Sequence, residues 1–390
     1  MPRRRLLIVV ADSFSPDQIT AVRERKQPRI DFLEIARISG GDVLSYDSLR
    51  VHESGDEAAR HYPHIRYPRP MLPAQPFRLK RCHRLLYQLA HAAHELSKDY
   101  DAILLTGEDL GIPLAANCAW SGKSAKIIAI GHYLNPLKKT VFFKYSRLGK
   151  YMDKLITYSP VQHMYCVERL GFPGQRVELI PFHADQHFYS PDESVERDPE
   201  LIVAAGLEHR DYATLFKAVD GLRYRMELGI GSPWSRFHRH LPPLPKQTAN
   251  RYRSRLELRD LYRKAGAVIV PLVNSACQAG VSVLLESMSC GAPVIVARTL
   301  GLKHLLRDEQ EGLYYPAGDA GALRQAILRL QSDPQFAAKI GRAARKKIED
   351  MMTTNHFVTR LDCICTAAMK NSAKPEFYII PNLYRGRSEE

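Results

Sequence analysis

Several absences narrow the chemistry open to this chain. Cysteine is scarce: seven residues in 390, an odd number scattered without a repeating framework, which excludes a small disulfide-stapled scaffold. Cys363 and Cys365 form the one close pair, and nothing beside them completes a metal site. The thiols sit in apolar settings and read as small buried hydrophobes in a reducing, cytoplasmic protein. No apolar run approaches the ~20 residues that span a bilayer. The opening "MPRRRLLIVVADS" sets basic residues before an apolar run, but that run is short, stops at Asp12 and lacks a small-x-small cleavage site. It is expected to be a first buried strand, not a secretory signal. A phosphate-binding P-loop is missing too. "NCAWSGKS" ends like one, yet Asn117 stands where the motif's first glycine must be, and the segment leads from a helix into a strand. No zinc-finger, helix-turn-helix or RNP-like pattern accompanies the net charge of +14, so no specific nucleic-acid partner is expected.

What is present has the composition of a globular protein, with 45% hydrophobic and 25% charged residues. The length is too great for one ordinary core. Short β-branched or aliphatic runs alternate with helical patterns. Strands are expected at 6–11, 102–106, 126–130, 154–158 and 177–180, separated by helices at 30–38, 78–97, 113–120, 140–150 and 161–170. The rhythm then repeats, with strands at 201–205, 226–230, 267–271, 293–296 and 312–315 and helices at 212–219, 256–265, 281–288 and 320–330. Near-continuous apolar strands alternating with helices mean parallel sheets covered on both faces. The expected fold class is therefore α/β, with two Rossmann-like doubly wound domains facing a central cleft. Ser159-Pro160, Asp333-Pro334 and Asp319 read as helix caps. The expected divisions are a first domain over 1–185, a polar linker over 186–199, a second domain over 200–355, and a helix and tail over 356–390 packing back on the first domain.

One stretch is densely basic. "LKKTVFFKYSRLGKYMDK" interleaves Lys138, Lys139, Lys144, Arg147, Lys150 and Lys154 with Phe142, Phe143, Tyr145 and Leu148. Two readings stay open for 138–154: a helix on an anionic membrane surface, or a core-facing amphipathic helix with a solvated basic side.

The stretch "QAGVSVLLESMSCGAPVIVA", residues 278–297, carries the clearest chemistry. A loop should end at Gly280 and a helix begin at Val281, so the free amides of Ala279, Gly280, Val281, Ser282 and Val283 form an anion site aided by the helix dipole. Glu286 lies about a turn and a half along that helix, where a carboxylate suits a bidentate hydrogen bond to vicinal hydroxyls such as those of a ribose.

Residues 278–323, "QAGVSVLLESMSCGAPVIVARTLGLKHLLRDEQEGLYYPAGDAGAL", resemble the donor-binding region of retaining family 4 glycosyltransferases of the GT-B fold. Those enzymes show a Glu-x7-Glu pattern, an apolar helix, a Gly-x-Pro-Val turn and a later Gly-Asp, and all but the first glutamate are present. The likeness extends to "YMDKLITYSPVQHMYCVERLGFPGQRVELIPFHADQHFYSP", down to Asp185, Phe188 and Pro191, and to "AAGLEHRDYATLFKAV". The resemblance implies transfer of a sugar from a nucleotide-diphosphate sugar with retention at the anomeric carbon. It implies no metal and no cofactor, and no metal-binding Asp-x-Asp ends a strand here. It assigns Glu286 to the ribose, the amides of 279–283 and Gly206 to the donor, Arg210 to the leaving diphosphate, and His132 to the face of the transferred sugar.

Three departures stand out. Gln278 replaces the first glutamate, which in the family approaches the sugar's 3- and 4-hydroxyls. Leu207 stands where an arginine is frequent. "ADSFSPDQ" lacks the glycine-rich loop of the first domain. The amide at Gln278 still bonds sugar hydroxyls, so an altered donor preference is expected; a nucleotide-sugar-binding protein without turnover is the alternative. The acceptor, a glycan, a lipid-linked sugar or a small molecule, is expected on loops at 13–27, 61–75 and 107–112. The chain is expected in the cytoplasm, peripheral on the inner face of a membrane.

Overall fold

The structure is a computed structural model that describes residues 5–49, 81–229 and 241–370. The expected loop at 61–75, the first residues of the 78–97 helix, the end of the 226–230 strand and the tail after 370 lie outside the described residues. The chain forms two compact units. The first takes Arg29–Ile180, the residues before Arg25 and, from the last helix, Phe357 onward; the second takes Pro181–His356 with Arg25–Pro28.

The first unit is built on a six-stranded parallel sheet of β1 (Leu6–Val9), β2 (Asp42–Leu44), β3 (Ala102–Leu105), β4 (Lys126–Ile130), β5 (Lys154–Thr157) and β6 (Val177–Leu179). Their spatial order is β2-β1-β3-β4-β5-β6, and every pairing is parallel. "LLIV" and "AILL" are buried at every position, as strands covered on both faces must be. The chain leaves β1 toward β2 and then returns to β3 on the other side of β1. The carboxyl ends of β1 and β3 therefore flank a topological switch point, where such sheets bind ligands.

The second unit repeats the plan with β7 (Asp198–Ala205), β8 (Arg225–Gly229), β9 (Thr248–Asn250), β10 (Ala265–Val270), β11 (Val294–Arg298) and β12 (Leu313–Pro316). Their order is β12-β11-β10-β7-β8-β9, all parallel. Its switch point lies between β7 and β10. The doubly wound fold class expected for each half is thus present in each unit.

Helix ends follow the caps read from sequence. Ser159 accepts from the Gln162 amide, Asp319 from Ala322 and Asp333 from Phe336. The same Ser-Pro signal at Ser15-Pro16 starts a helix (Pro16–Arg23) inside the segment expected to be an acceptor loop. The 107–112 segment is also helical from Glu108 onward: that helix runs Glu108–Ser121, with Gly107 as its extended cap, and contains Pro113. A proline ordinarily marks a helix start, which is why 113 reads as the boundary from sequence alone. β7 begins at Asp198, three residues before the expected strand, and β2 and β9 are edge strands of three residues, too short to announce themselves by pattern.

Candidate functional site

The switch point of the second sheet gathers most of the expected donor residues. β7 ends at Ala205 and turns through Gly206, which has φ +87°. Arg210 then folds back, its Nε donating to the Ala205 carbonyl at 2.9 Å and Nη1 to the Glu208 carbonyl at 2.8 Å. An isolated antiparallel bridge joins Arg210 to Leu272, just beyond β10. The guanidinium lies under two glycines. A Cβ on Gly206 would stand 2.5 Å from Arg210 Nη2, and one on Gly280 3.1 Å from Nη1. Burial lowers the Arg210 pKa from its usual value, yet a guanidinium remains a cation at any physiological pH.

Gly280 (φ +79°) caps the helix Val281–Ser289 without any side-chain hydrogen bond, and the Val281 amide turns back to the Gln278 carbonyl at 3.1 Å. A glycine is required here, because a Cβ would also meet Val270 Cγ1 at 2.7 Å. The helix N-terminus and Arg210 therefore converge on one spot, a fixed positive region suited to a diphosphate. The loop leading to it is braced from β11: Leu300 donates to Asn274 Oδ1 at 3.1 Å and Gly301 to the Ser275 carbonyl at 2.9 Å. Gln278, Ala279, Gly280 and Val283 are half-buried, Val281 is buried and Ser282 is exposed. Leu207 is buried in the core, so an apolar side chain fills the place of the family's arginine.

Glu286 is 7% exposed on that helix, and its Oε1 accepts from Arg255 Nη1 at 2.8 Å. Burial drives the Glu286 pKa up from its usual value, opposed by the Arg255 charge; the same carboxylate raises the pKa of Arg255. Arg255 was not among the expected site residues. It is the first residue of the helix Arg255–Lys264, set in place by a capping box in which Ser254 Oγ accepts from the Glu257 amide at 3.2 Å and Glu257 Oε2 accepts from the Ser254 amide at 2.8 Å. A cation in the first turn opposes the helix dipole, a local misfit that the Glu286 carboxylate explains. The S-x-x-E spacing was readable from sequence; the pairing of its neighbour with Glu286 was not. Tyr189 and Tyr262 are buried beside this pair, and Glu286 is among the charges that raise both their pKa values after burial itself. Ser289 Oγ donates to the Tyr189 carbonyl at 2.6 Å and Arg345 Nη1 to the same oxygen at 2.9 Å, which fixes that segment.

His132 belongs to the first unit and a separate cluster, beyond the end of β4. Its Nε2 lies 2.7 Å from the Thr106 carbonyl; a carbonyl only accepts, so Nε2 carries the proton. The imidazole leans on Tyr158 with ring centroids 5.5 Å apart. Glu108, also unforeseen, holds the loop by accepting from the His132 amide at 2.9 Å and the Tyr133 amide at 3.1 Å. Lys139 Nζ closes the cluster at 2.6 Å from Glu108 Oε1 and 2.9 Å from Asp109 Oδ1. Burial would raise the Glu108 pKa, but Lys139 and then His132 overcome it, and the net shift is downward. The missing glycine loop of this unit has a structural counterpart. Ser13 and Phe14 donate their amides to Asp12 Oδ1 (2.8 Å) and Asp47 Oδ2 (2.7 Å), so carboxylates occupy the loop after β1.

The basic stretch is reduced by the fold. Lys154 is buried against Glu178 at 2.6 Å, Lys139 is committed to Glu108, and Phe143 is core. Lys138, Lys144, Arg147 and Lys150 remain exposed.

Two doubly wound parallel sheets in sequence define a two-domain Rossmann-like GT-B fold, and solved structures agree. Sucrose-phosphate synthase from Thermosynechococcus elongatus matches with a TM-score of 0.69 at 17% identity, covering 95% of this chain and 100% of that one. A structure of Anabaena Alr3699/HepE in complex with UDP and glucose matches with a TM-score of 0.65 at 14% identity, covering 91% and 97%.

Residues 244–347 match the family model described as glycosyl transferases group 1. A D-inositol 3-phosphate glycosyltransferase of Saccharomonospora viridis is 34% identical over 190 residues, 45% of this chain and 40% of that protein. The lipopolysaccharide core biosynthesis glycosyltransferase LpsE of Rhizobium meliloti is 25% identical over 213 residues, 51% and 62%. The alignments thus span less than two thirds of these relatives' own length. Together the findings support a group 1 glycosyltransferase.

Proposed function

We propose that the protein transfers a hexosyl group from a nucleoside-diphosphate sugar to an acceptor hydroxyl with retention of anomeric configuration, in the synthesis of a glycan, glycolipid or cell-surface polysaccharide. The observation that carries this reading is the convergence of Arg210 with the uncapped helix start at Gly280, Glu286 standing on the same helix. As the glycosidic bond to the diphosphate breaks, negative charge accumulates on the leaving oxygens. The Arg210 guanidinium and the amides at the helix start, apart from that of Val281, which donates to the Gln278 carbonyl, would stabilise that charge, and preorganised donors of this kind usually supply the largest share of rate enhancement. Glu286 would take the ribose hydroxyls, one oxygen being held by Arg255 while unused lone pairs remain.

The second unit is assigned the donor and the first the acceptor, with His132 at the transferred sugar and Gln278 on its hydroxyls. Because Asp12 and Asp47 hold the amides after β1, the diphosphate depends on the second unit alone. Reaction without a metal is part of the proposal; among the described residues no group of three His, Cys, Asp or Glu could hold an ion. UDP and UDP-glucose, bound in the Anabaena structures, are the first donors to try. The acceptor is a glycan, a lipid-linked sugar or a small molecule, and the site of action the cytoplasmic face of a membrane. No helix among the described residues is long and apolar enough to cross one.

A panel of nucleotide sugars scored for binding and slow hydrolysis tests donor and activity together. An active transferase releases free nucleoside diphosphate, loses that release in Glu286→Ala and keeps it in a chelator. Binding without release by any donor would favour the second reading, a nucleotide-sugar-binding protein without turnover, which Gln278 and the buried Leu207 motivate.

A further inference from the structure

The helix Leu137–Ser146 of the first unit is attached by one side and unusual on the other. Phe143 anchors it, with its ring edge-on to Phe172 at 5.6 Å, and Lys139 is drawn inward to Glu108 and Asp109. The outward side carries Leu137, Val141 and Tyr145, exposed by 77%, 46% and 73%. At about 100° per residue, these three fall within a stripe about 80° wide. Lys144 lies about 20° outside one margin and Lys138 about 20° outside the other, and both are exposed. Exposed Arg147 and Lys150 continue the positive charge past the helix end, and no Asp or Glu occurs between 137 and 152. A solvent-facing helix ordinarily places polar residues at its outermost positions. Here those positions are apolar and the cations stand at the borders.

We propose that this face docks on an anionic lipid bilayer, with Leu137, Val141 and Tyr145 entering the interfacial layer and Lys138 and Lys144 lying on headgroup phosphates. Charge complementarity selects this occupant. A second copy meeting this face across a two-fold axis would bring like charges together at the margins, which is repulsive. A nucleic acid would satisfy the lysines but leave the apolar stripe without a partner. A bilayer surface offers both an anionic plane and an apolar layer beneath it. The proposal deepens the membrane-side location given above and is independent of the donor chemistry.

The experiment is sedimentation of the full chain with phosphatidylcholine vesicles, with and without phosphatidylglycerol, and needs no turnover. Binding is expected to the anionic vesicles only and to weaken as salt is raised. Lys138→Gln with Lys144→Gln should lower partitioning about 25-fold, each lysine near such a surface contributing about 5-fold. Val141→Ser with Tyr145→Ser should abolish it at low protein concentration, while far-ultraviolet dichroism and nucleotide binding stay at the wild-type level. Equal binding to neutral vesicles, no binding to either kind, or partitioning unchanged in both double variants would overturn the proposal. So would a dimer in sedimentation velocity that the serine variant dissolves. Because nucleotide binding is read separately, failure here leaves the proposed reaction standing, and the reverse also holds.

Discussion

Replacing Arg255 by methionine isolates the group on which the Glu286 carboxylate depends. Methionine keeps the length of the apolar stem and removes one charge-assisted hydrogen bond, the 2.8 Å contact from Nη1 to Oε1. Such bonds contribute about 1.5–3 kcal/mol when one partner is ionised. Arg255 is itself half-exposed at 52%, so water partly replaces it and the lower end of that range applies to stability. Glu286 has no such relief at 9% side-chain exposure. Its pKa is already raised by burial with the guanidinium present, and losing the cation moves it further up. If the ionised carboxylate holds the ribose, affinity for a nucleoside diphosphate should fall about 10- to 100-fold at neutral pH. The sign of the pH dependence follows. A carboxyl whose pKa is raised gains protons as pH falls, so affinity in the variant should climb as pH rises above the ordinary carboxylate range, while the wild type changes less. Calorimetric titration with UDP and GDP at several pH values reads this directly, and Arg255→Lys should restore part of the loss. Unchanged affinity with no pH slope in Arg255→Met would refute the role given to the pair.

Gly280→Ala forces a Cβ to 2.7 Å from Val270 and 3.1 Å from Arg210 at φ +79°; the left-handed backbone alone costs about 1–2 kcal/mol, and nucleotide affinity should fall with stability in a urea titration. Gly301→Ala would drive its Cβ into the Cys277 carbonyl oxygen, so the loop leading to Gly280 must shift, and, on the proposed donor role of that loop, donor KM should rise more than the unfolding midpoint drops. Glu108→Gln should destabilise the first unit by about 2 kcal/mol at neutral pH. Glu108's lowered pKa stabilises the fold above the ordinary carboxylate range and less as pH falls through its own ionisation, so urea titrations should show the two proteins converging in acid. Gln278→Glu restores the family's carboxylate, and a changed ranking of donor sugars in the nucleotide-sugar panel is the outcome that ties Gln278 to sugar choice.

The loop and helix at 278–289 were legible in sequence because their signals are local: Gly280, the apolar run and Glu286 lie within one turn and a helix. The alternation of strands and helices gave both doubly wound sheets for the same reason. Partners set by the fold were not legible. Arg255 is 31 residues from Glu286, and Glu108 is 24 from His132; only the return of β10 beside β7 and the pairing of β3 with β4 bring them close. The short helix at Ser15-Pro16 was missed although its cap signal equals the one at Ser159-Pro160, because the following "DQITAVRERK" shows little apolar periodicity. The basic stretch misled in a different way. Counting charges over 138–154 could not distinguish Lys154 and Lys139, which face buried carboxylates, from Lys138 and Lys144, which face solvent.

The division of the chain has a consequence for its synthesis. The first unit is discontinuous: its sheet is complete once β6 ends at Leu179, yet it also takes the last helix from Phe357 onward. Among the described residues, the second unit lies between those two segments, apart from Arg25–Pro28. Domains generally fold as units while the ribosome releases the chain from its amino end. Here the unit begun first must wait for the helix from Phe357, and the second unit can reach its native packing earlier. Until then the first unit presents uncovered apolar surface, and a nascent chain stalled before residue 357 should be the species that chaperones retain.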